Sequence, residues 1–400
     1  MRAFKGSFTQ QEPLPEAAHL AANAVLSGGR LHRYGAAPQE ISQAAALEAE
    51  FANWQGVQFC LALTSGGQAI QIALRSVGVL PKDLVLTNAF TLAPVPGAIA
   101  AVGAKAVLVE SAKDLTIDLG DLEEKAQNSA ARVLLLSHMR GHIADMDRIL
   151  EICDRYNVTL VEDCAHTMGA RFDGLRSGNH GLVSCFSTQT YKHINSGEGG
   201  LLTTNSAEIA ARATMLSGSY MNFSRHGAGP DETSFETVRY ETPNMSARMD
   251  NLRASILTPQ LDRLDTNVTR WSERHSVLAK ALESVEGVEL PMGHSKALRV
   301  GSSFQFRLPG ADANTCQLIL DQAASLGVEL KWFGSAEPIG FTSNHKSWRY
   351  IAAQSLPNTD EILSTLFDMR VPLSFSLDDC AHIGRILQHV LENCVVRDPV

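Results

Sequence analysis

The sequence contains no stretch of about 18 apolar residues that could cross a bilayer as a helix, and its opening residues, MRAFKGSFTQQEPLPEAAHL, lack a continuous apolar segment of the secretory type. The expectation is a soluble, cytoplasmic protein. Paired cysteines are missing as well. Cys60, Cys153, Cys164, Cys185, Cys316, Cys380 and Cys394 stand singly, without a C-x-x-C pair to hold zinc or run a thiol–disulfide cycle, so reduced, small core residues are expected. Basic clusters are absent too. With 43 acidic against 34 basic residues and a net charge of −9, no Lys/Arg patch interleaved with aromatics offers a footprint for nucleic acid. There is neither an internal repeat nor a low-complexity segment.

The chain does contain regular alternation. Its 400 residues exceed what one hydrophobic core usually serves, which favours a large α/β domain with a smaller companion. From about residue 40 to 205, the apolar runs FCLAL, LVLTN, KAVLVE, RVLLLSH, VTLVED, VSCFST and GGLLTT read as strands. Between them GGQAIQIALRSVG, PVPGAIAAVG, DLGDLEEKAQNS and MDRILEICDRYN have helical spacing. Strands alternating with helices build a doubly wound, mainly parallel sheet. A long helical region over 246–285 follows, and Pro259 predicts a kink within it. Beyond it, SSFQFRLPG, TCQLILDQAASLG, VELKWF, RVPLSF and LDDCAHIGRILQHVLENC suggest a small α+β domain. The expected division is 1–265, an N-terminal arm with the large domain, and 266–400, a linking helix with the small C-terminal domain.

Three features of the large domain converge on a cofactor. Lys192, in CFSTQTYKHINSGEGGLLTT, follows an expected strand and precedes a Gly-rich turn, where an amine can point into a cleft. Asp163 ends the strand VTLVED, the place where open α/β sheets bind ligands, and could keep a pyridine nitrogen protonated; the alternative is a helix N-cap. Ser65, Gly66 and Gly67 lead from a strand into a helix whose free amides would suit a phosphate, although tight turns use the same residues. Two further groups carry less. His138, His142, Asp145 and Asp147 lack a recognised ligand spacing, so no metal is expected. Arg307, Arg349 and Arg370 could bind a substrate carboxylate, with surface or dimer ion pairs as the commoner use of such arginines.

Taken in order, RLHRYG, ALEAEFANWQGVQFCLALTSGGQAIQIAL, AFTLAPVPGAIAAVGAKAVLVE, HIADMDRILEICDRYNVTLVEDCAHTMGA, SGEGGLLTT, SARMDNLRASILTPQLDRLD and LPNTDEI resemble the DegT/DnrJ/StrS family of pyridoxal-phosphate (PLP)-dependent sugar aminotransferases over almost the whole chain. The resemblance implies the aspartate-aminotransferase fold (fold type I) and a PLP-dependent aminotransferase, moving an amino group from an amino-acid donor to a keto acceptor, such as a keto sugar or sugar nucleotide. It makes Lys192 the Schiff-base lysine, Asp163 the partner of the pyridinium nitrogen, and His166 a contact to the ring or its phenolic oxygen. Ser65, Gly66, Gly67 and Ser187 would hold the phosphate. A polar residue from the partner subunit, Asn244 or Ser246, would complete the site of a homodimer. The sequence also departs from the family pattern: Gly67 stands where many relatives have threonine, and Gln189 where many have histidine. At the usual ring-stacking position is Leu92, with Phe90 the nearest aromatic. The alternatives are a lyase or dehydratase acting on a small amino compound, or a silent PLP-binding regulatory protein. Retention of Lys192 argues against the silent class, and against dehydratases that replace it with histidine.

Overall fold

A computed structural model describes residues 1–37, 39–338, 340 and 344–395. In chain order its strands are β1 (Phe59–Leu63), β2 (Leu84–Asn88), β3 (Lys105–Val109), β4 (Val133–Ser137), β5 (Thr159–Asp163), β6 (Arg171–Phe172), β7 (Leu175–Arg176), β8 (Val183–Ser187), β9 (Gly200–Thr204), β10 (Ala297–Leu298), β11 (Ser303–Arg307), β12 (Lys331–Trp332) and β13 (Leu366–Arg370). Seven of them form one sheet in the order β1-β9-β8-β5-β4-β2-β3. The central pairs are parallel, and β9 runs antiparallel to both β1 and β8. Both faces are covered by helices, so the strands are apolar throughout rather than alternating.

The connecting helices start where the sequence supplies caps. The side chains of Ser65, Asp118, Asp145, Ser206, Asp250 and Asp312 each accept a hydrogen bond from the backbone N–H three residues on, which satisfies a donor the helix cannot use. The long segment over 246–285 is two helices. Asn251–Leu261, which contains Pro259, gives way to Leu264–Leu282. The break thus falls just beyond the proline, and residues 246–250 lead in without helix because Asp250 is the cap.

The second sheet has the order β11-β13-β12 with antiparallel pairing. Here alternation returns. Phe304, Phe306, Trp332, Phe367 and Met369 pack into a core with the helices Leu264–Leu282, Ala313–Ser325 and Leu377–Val395, leaving Ser303, Gln305, Lys331, Asp368 and Arg370 to the other face. Phe4 and Phe8 join this same core, and the Phe4 N–H donates to the Leu326 carbonyl at 2.8 Å. Two expected strands differ. RVPLSF is not a strand; β13 is the preceding LFDMR, because Pro372 has no N–H to give a ladder. VELKWF shortens to the two residues of β12.

Candidate active site

The parallel strands deliver their carboxyl ends to one edge of the large sheet. Ser65 follows β1, Asp163 ends β5 and Ser187 ends β8. Because β9 is antiparallel, the β8–β9 connection that carries Lys192 returns at the same edge, with Ser187 paired to Gly200 and Leu63 to Gly200 from the other side. Here lies a cavity of about 550 Å³, lined among others by Ser65, Gly66, Gly67, Asp163, His166, Ser187 and Lys192. Residues more than a hundred positions apart in sequence thus share one wall.

Asp163 is 5% exposed and held from both oxygens: Ser137 Oγ donates to Oδ2 at 2.9 Å and the Ala165 N–H to Oδ1 at 3.1 Å. Thr91 Oγ1 in turn donates to Ser137 Oγ at 2.8 Å. Burial raises the Asp163 pKa, against the pull of these donors and of Lys192. A buried carboxylate so disfavoured is ready for a cation such as a pyridinium. Lys192 is shifted the other way: burial, then the charge of Arg140, push its amine down to about 7, with Asp163 opposing. His166 stays neutral, its pKa forced well below the usual value by burial and by Lys192 and Arg140. The Arg140 N–H donates to His166 Nδ1 at 3.3 Å, which assigns the ring proton to Nε2.

The phosphate end is fitted by close packing. The helix Gly66–Ser76 begins here with its free amides, and Ser65 Oγ accepts only the Gln68 N–H among the described residues. A Cβ on Gly66 would lie 2.9 Å from Ser187 Cβ, and one on Gly200 only 2.3 Å from the Ser65 carbonyl oxygen, so both glycines are required by approach. Gly67 has open space, with nothing nearer than 3.9 Å. Free backbone amides at the helix end, a carboxylate across the cavity and a depressed-pKa amine between them fit PLP.

Three residues singled out in the sequence lie away from this cavity in the single chain. Phe90 is fully buried, edge-on to Phe333 at 5.1 Å, and the residue of that loop on the cavity wall is Leu92. Asn244 and Ser246 are exposed, the Ser246 N–H donating to Asn244 Oδ1 at 2.8 Å. His193, next to Lys192, is buried between Trp271, edge-on at 5.1 Å, and Ser302 Oγ, 3.1 Å from Nε2. The His138 and Asp147 pairings are structural: His138 Nε2 meets Glu162 at 2.9 Å, and Asp147 accepts from Lys296 at 2.6 Å.

Some cavity residues escaped the sequence reading. Arg140, Ser137, Ser302, Ser303, Glu198 and Tyr191 all line it. Arg140 is buried in a left-handed backbone conformation with φ of 56°, and its Nη2 pairs with Asp368 at 2.7 Å. Of the arginines considered for a carboxylate, only Arg370 lines the cavity; Arg307 is buried 3.7 Å from Glu289, and Arg349 is exposed.

Comparison with known proteins settles the family. Residues 16–388 match the model of the DegT/DnrJ/EryC1/StrS aminotransferase family. The chain belongs to this family. As a family member it is a PLP-dependent aminotransferase of fold type I. It is 30% identical to the dTDP-3-amino-3,4,6-trideoxy-alpha-D-glucose transaminase of Micromonospora megalomicea subsp. nigra, over 80% of this chain and 82% of that one. It is 34% identical to the transaminase of the same name from Streptomyces venezuelae, over 61% of this chain and 62% of the relative, so that alignment spans less than two thirds of the relative. A solved 3-amino-5-hydroxybenzoic acid synthase superposes with a TM-score of 0.82 at 25% identity, covering 98% of this chain and all of that one.

Proposed function

We propose that this aminotransferase moves an amino group from an amino-acid donor to a keto acceptor of the keto-sugar or sugar-nucleotide class, with Lys192 as the amine that carries the cofactor and shuttles the proton. When bound, PLP supplies an electron sink for the carbanion next to the reacting nitrogen. Asp163 would pair with the cation of its ring. Ser65, Gly66, Gly67 and Ser187 would hold its phosphate, and neutral His166 would contact the ring. Lys192, with a pKa near 7, is basic enough to take a proton from the substrate α-carbon and free enough of charge to do so at neutral pH. Donor and acceptor occupy the cavity in turn, which gives ping-pong kinetics. The acceptor class rests on the names of relatives, which include dTDP-3-amino-3,4,6-trideoxy-alpha-D-glucose transaminases and a GDP-perosamine synthase.

The observation that carries the roles is the meeting of Lys192, Asp163, His166 and the Ser65–Gly67 turn around one cavity. We further infer a homodimer in which Asn244 or Ser246 reaches the partner's site; both are exposed and outside the cavity of their own chain. The chain is read as dividing near residue 265, with Phe4 and Phe8 packed on the second part. Among the described residues no helix is long and apolar enough to cross a membrane, in keeping with a cytoplasmic location. Borohydride reduction of the purified protein followed by peptide mapping tests the central assignment. The cofactor adduct is expected on Lys192, and an adduct on another lysine would overturn it.

A further inference from the structure

The two donors that hold Asp163 differ in kind. The Ala165 N–H belongs to the backbone, and the fold fixes it 3.1 Å from Oδ1. Ser137 Oγ, 2.9 Å from Oδ2, is a hydroxyl that rotates and could point its hydrogen elsewhere. Its setting removes that freedom. An ionised carboxylate only accepts, so Ser137 gives its hydrogen to Asp163, and its own oxygen accepts from Thr91 Oγ1 at 2.8 Å. Two hydroxyls in series thus point one way, toward the carboxylate.

Three neighbouring strand ends build this chain. β2, β4 and β5 lie side by side, and the register sets Ser137 directly beside Asp163. Asn88, the last residue of β2, grips the Ser137 backbone twice: its Nδ2 donates to the Ser137 carbonyl at 2.6 Å, and its Oδ1 accepts the Ser137 N–H at 2.9 Å. Thr91 lies three residues on. Asn88, Thr91 and Ser137 are all buried, and Thr91 and Ser137 share the cavity wall with Asp163. Away from bulk water each of these bonds acts more strongly than it would at the surface.

The chain has a chemical consequence. Burial makes Asp163 a stronger base than an ordinary carboxylate, so opposite a pyridinium it can take the ring's proton and leave a neutral pair. That transfer would cost the ring its positive charge. Among the groups that oppose the effect of burial, the Ser137 hydroxyl is foremost, followed by the Ala165 N–H and the charges of Lys192 and His138. His138 is itself engaged by Glu162 at 2.9 Å. The neighbouring thiols of Cys164 and Cys185 are pushed well above their usual range by burial and carry no charge.

We propose that Ser137, its hydrogen aimed by Thr91, is a positioning residue that keeps Asp163 ionised and so leaves the proton on the cofactor's ring. This rests on the reading of Asp163 as the partner of that ring. A chain that merely satisfied buried hydroxyls would contribute to stability and leave the cofactor's electronics unchanged.

The test is a pH titration of the holoenzyme followed through the cofactor's absorbance. A positively charged ring draws electrons from the nitrogen bound to Lys192 and lowers the pH at which that nitrogen loses its proton. Ser137→Ala is expected to raise this midpoint by about one pH unit, and to slow the donor half-reaction by about 10-fold, as for loss of one hydrogen bond to a charged group. Thr91→Val removes the second hydroxyl at nearly constant shape and should shift the midpoint the same way by less. Thr91→Ser, which keeps the hydroxyl, should restore it. In Asp163→Asn protein, where the charge is already gone, Ser137→Ala should add no further shift. A wild-type midpoint in Ser137→Ala overturns the assignment, and so does a shift equally large in the Asp163→Asn background. If Ser137→Ala does not fold, Thr91→Val and Thr91→Ser decide, and an unchanged midpoint in Thr91→Val overturns it. An unchanged midpoint in Asp163→Asn itself would instead refute the reading of Asp163, and a cofactor found off Lys192 would refute the functional reading.

Discussion

Asp163→Asn separates charge from shape at the centre of the site. The side chain is 5% exposed, and the amide is isosteric with the carboxylate that Ser137 Oγ and the Ala165 N–H now hold. The Ala165 bond can be kept, and Ser137 Oγ can turn to accept, so the fold should survive. What is lost is the negative charge that, on the proposed function, would pair with the cofactor's ring. A unit-charge pair at about 3 Å in an effective dielectric of about 20 interacts by roughly 5 kcal/mol. With the amide dipole retaining part of this, about 4 kcal/mol is removed from the charge-stabilised transition state, or roughly a 10³-fold loss in rate. The assay is the donor half-reaction, followed spectroscopically, beside cofactor retention on dialysis. Retention should fall far less than rate, because the phosphate turn is untouched. The apoprotein gives a sign check: burial raises the Asp163 pKa in the folded chain, so ionisation costs stability as pH rises from the unfolded value through the folded one. Apo Asp163→Asn should therefore melt no lower than wild type at pH 7, and its advantage should vanish at pH below about 4. A near wild-type half-reaction rate would refute the role of Asp163. So would a loss of rate matched by loss of cofactor.

In the apoprotein, the Lys192 amine is pushed down to about 7, so the rate of PLP uptake should rise with pH through 7 and level off above it; a rate still climbing near pH 10 would mean an ordinary lysine. Gly200→Ala should abolish cofactor retention and destabilise the protein in urea titration, since the new methyl meets the Ser65 carbonyl, whereas Gly67→Ala, with its open space, should leave both close to wild type. Mixing inactive Lys192→Ala chains with chains altered at both Asn244 and Ser246 should restore one working site per heterodimer. If verified heterodimers stay inactive while the loop variant alone is impaired, the shared-site model fails.

The large domain was legible because its elements are local and repetitive. The seven main strands were read to within a residue at most ends, and three of the helix starts announced themselves through Ser65, Asp118 and Asp145. The gathering of Ser65, Asp163, Ser187 and Lys192 was legible for the same reason: each ends or follows a strand of the sheet, and sheet topology alone carries strand ends to a common edge. The small domain was harder. RVPLSF looks as apolar as a strand, and only Pro372 argues that pairing must end before it. Nor does the sequence reveal that Phe4 and Phe8 return to the core of the C-terminal helices, because that contact spans the whole chain.

The arginine side of the cavity was hidden for a different physical reason. Arg140 sits in a turn after β4, in a left-handed conformation that no propensity marks, and its partner Asp368 lies more than two hundred residues later on another sheet. Register decides the remainder. A shift of one residue in β13 would turn Asp368 and Arg370 into the apolar core and bring Phe367 and Met369 out over the cavity, which the core packing of those two side chains forbids. The position of the polar face is thus fixed by burial of its neighbours rather than by any motif.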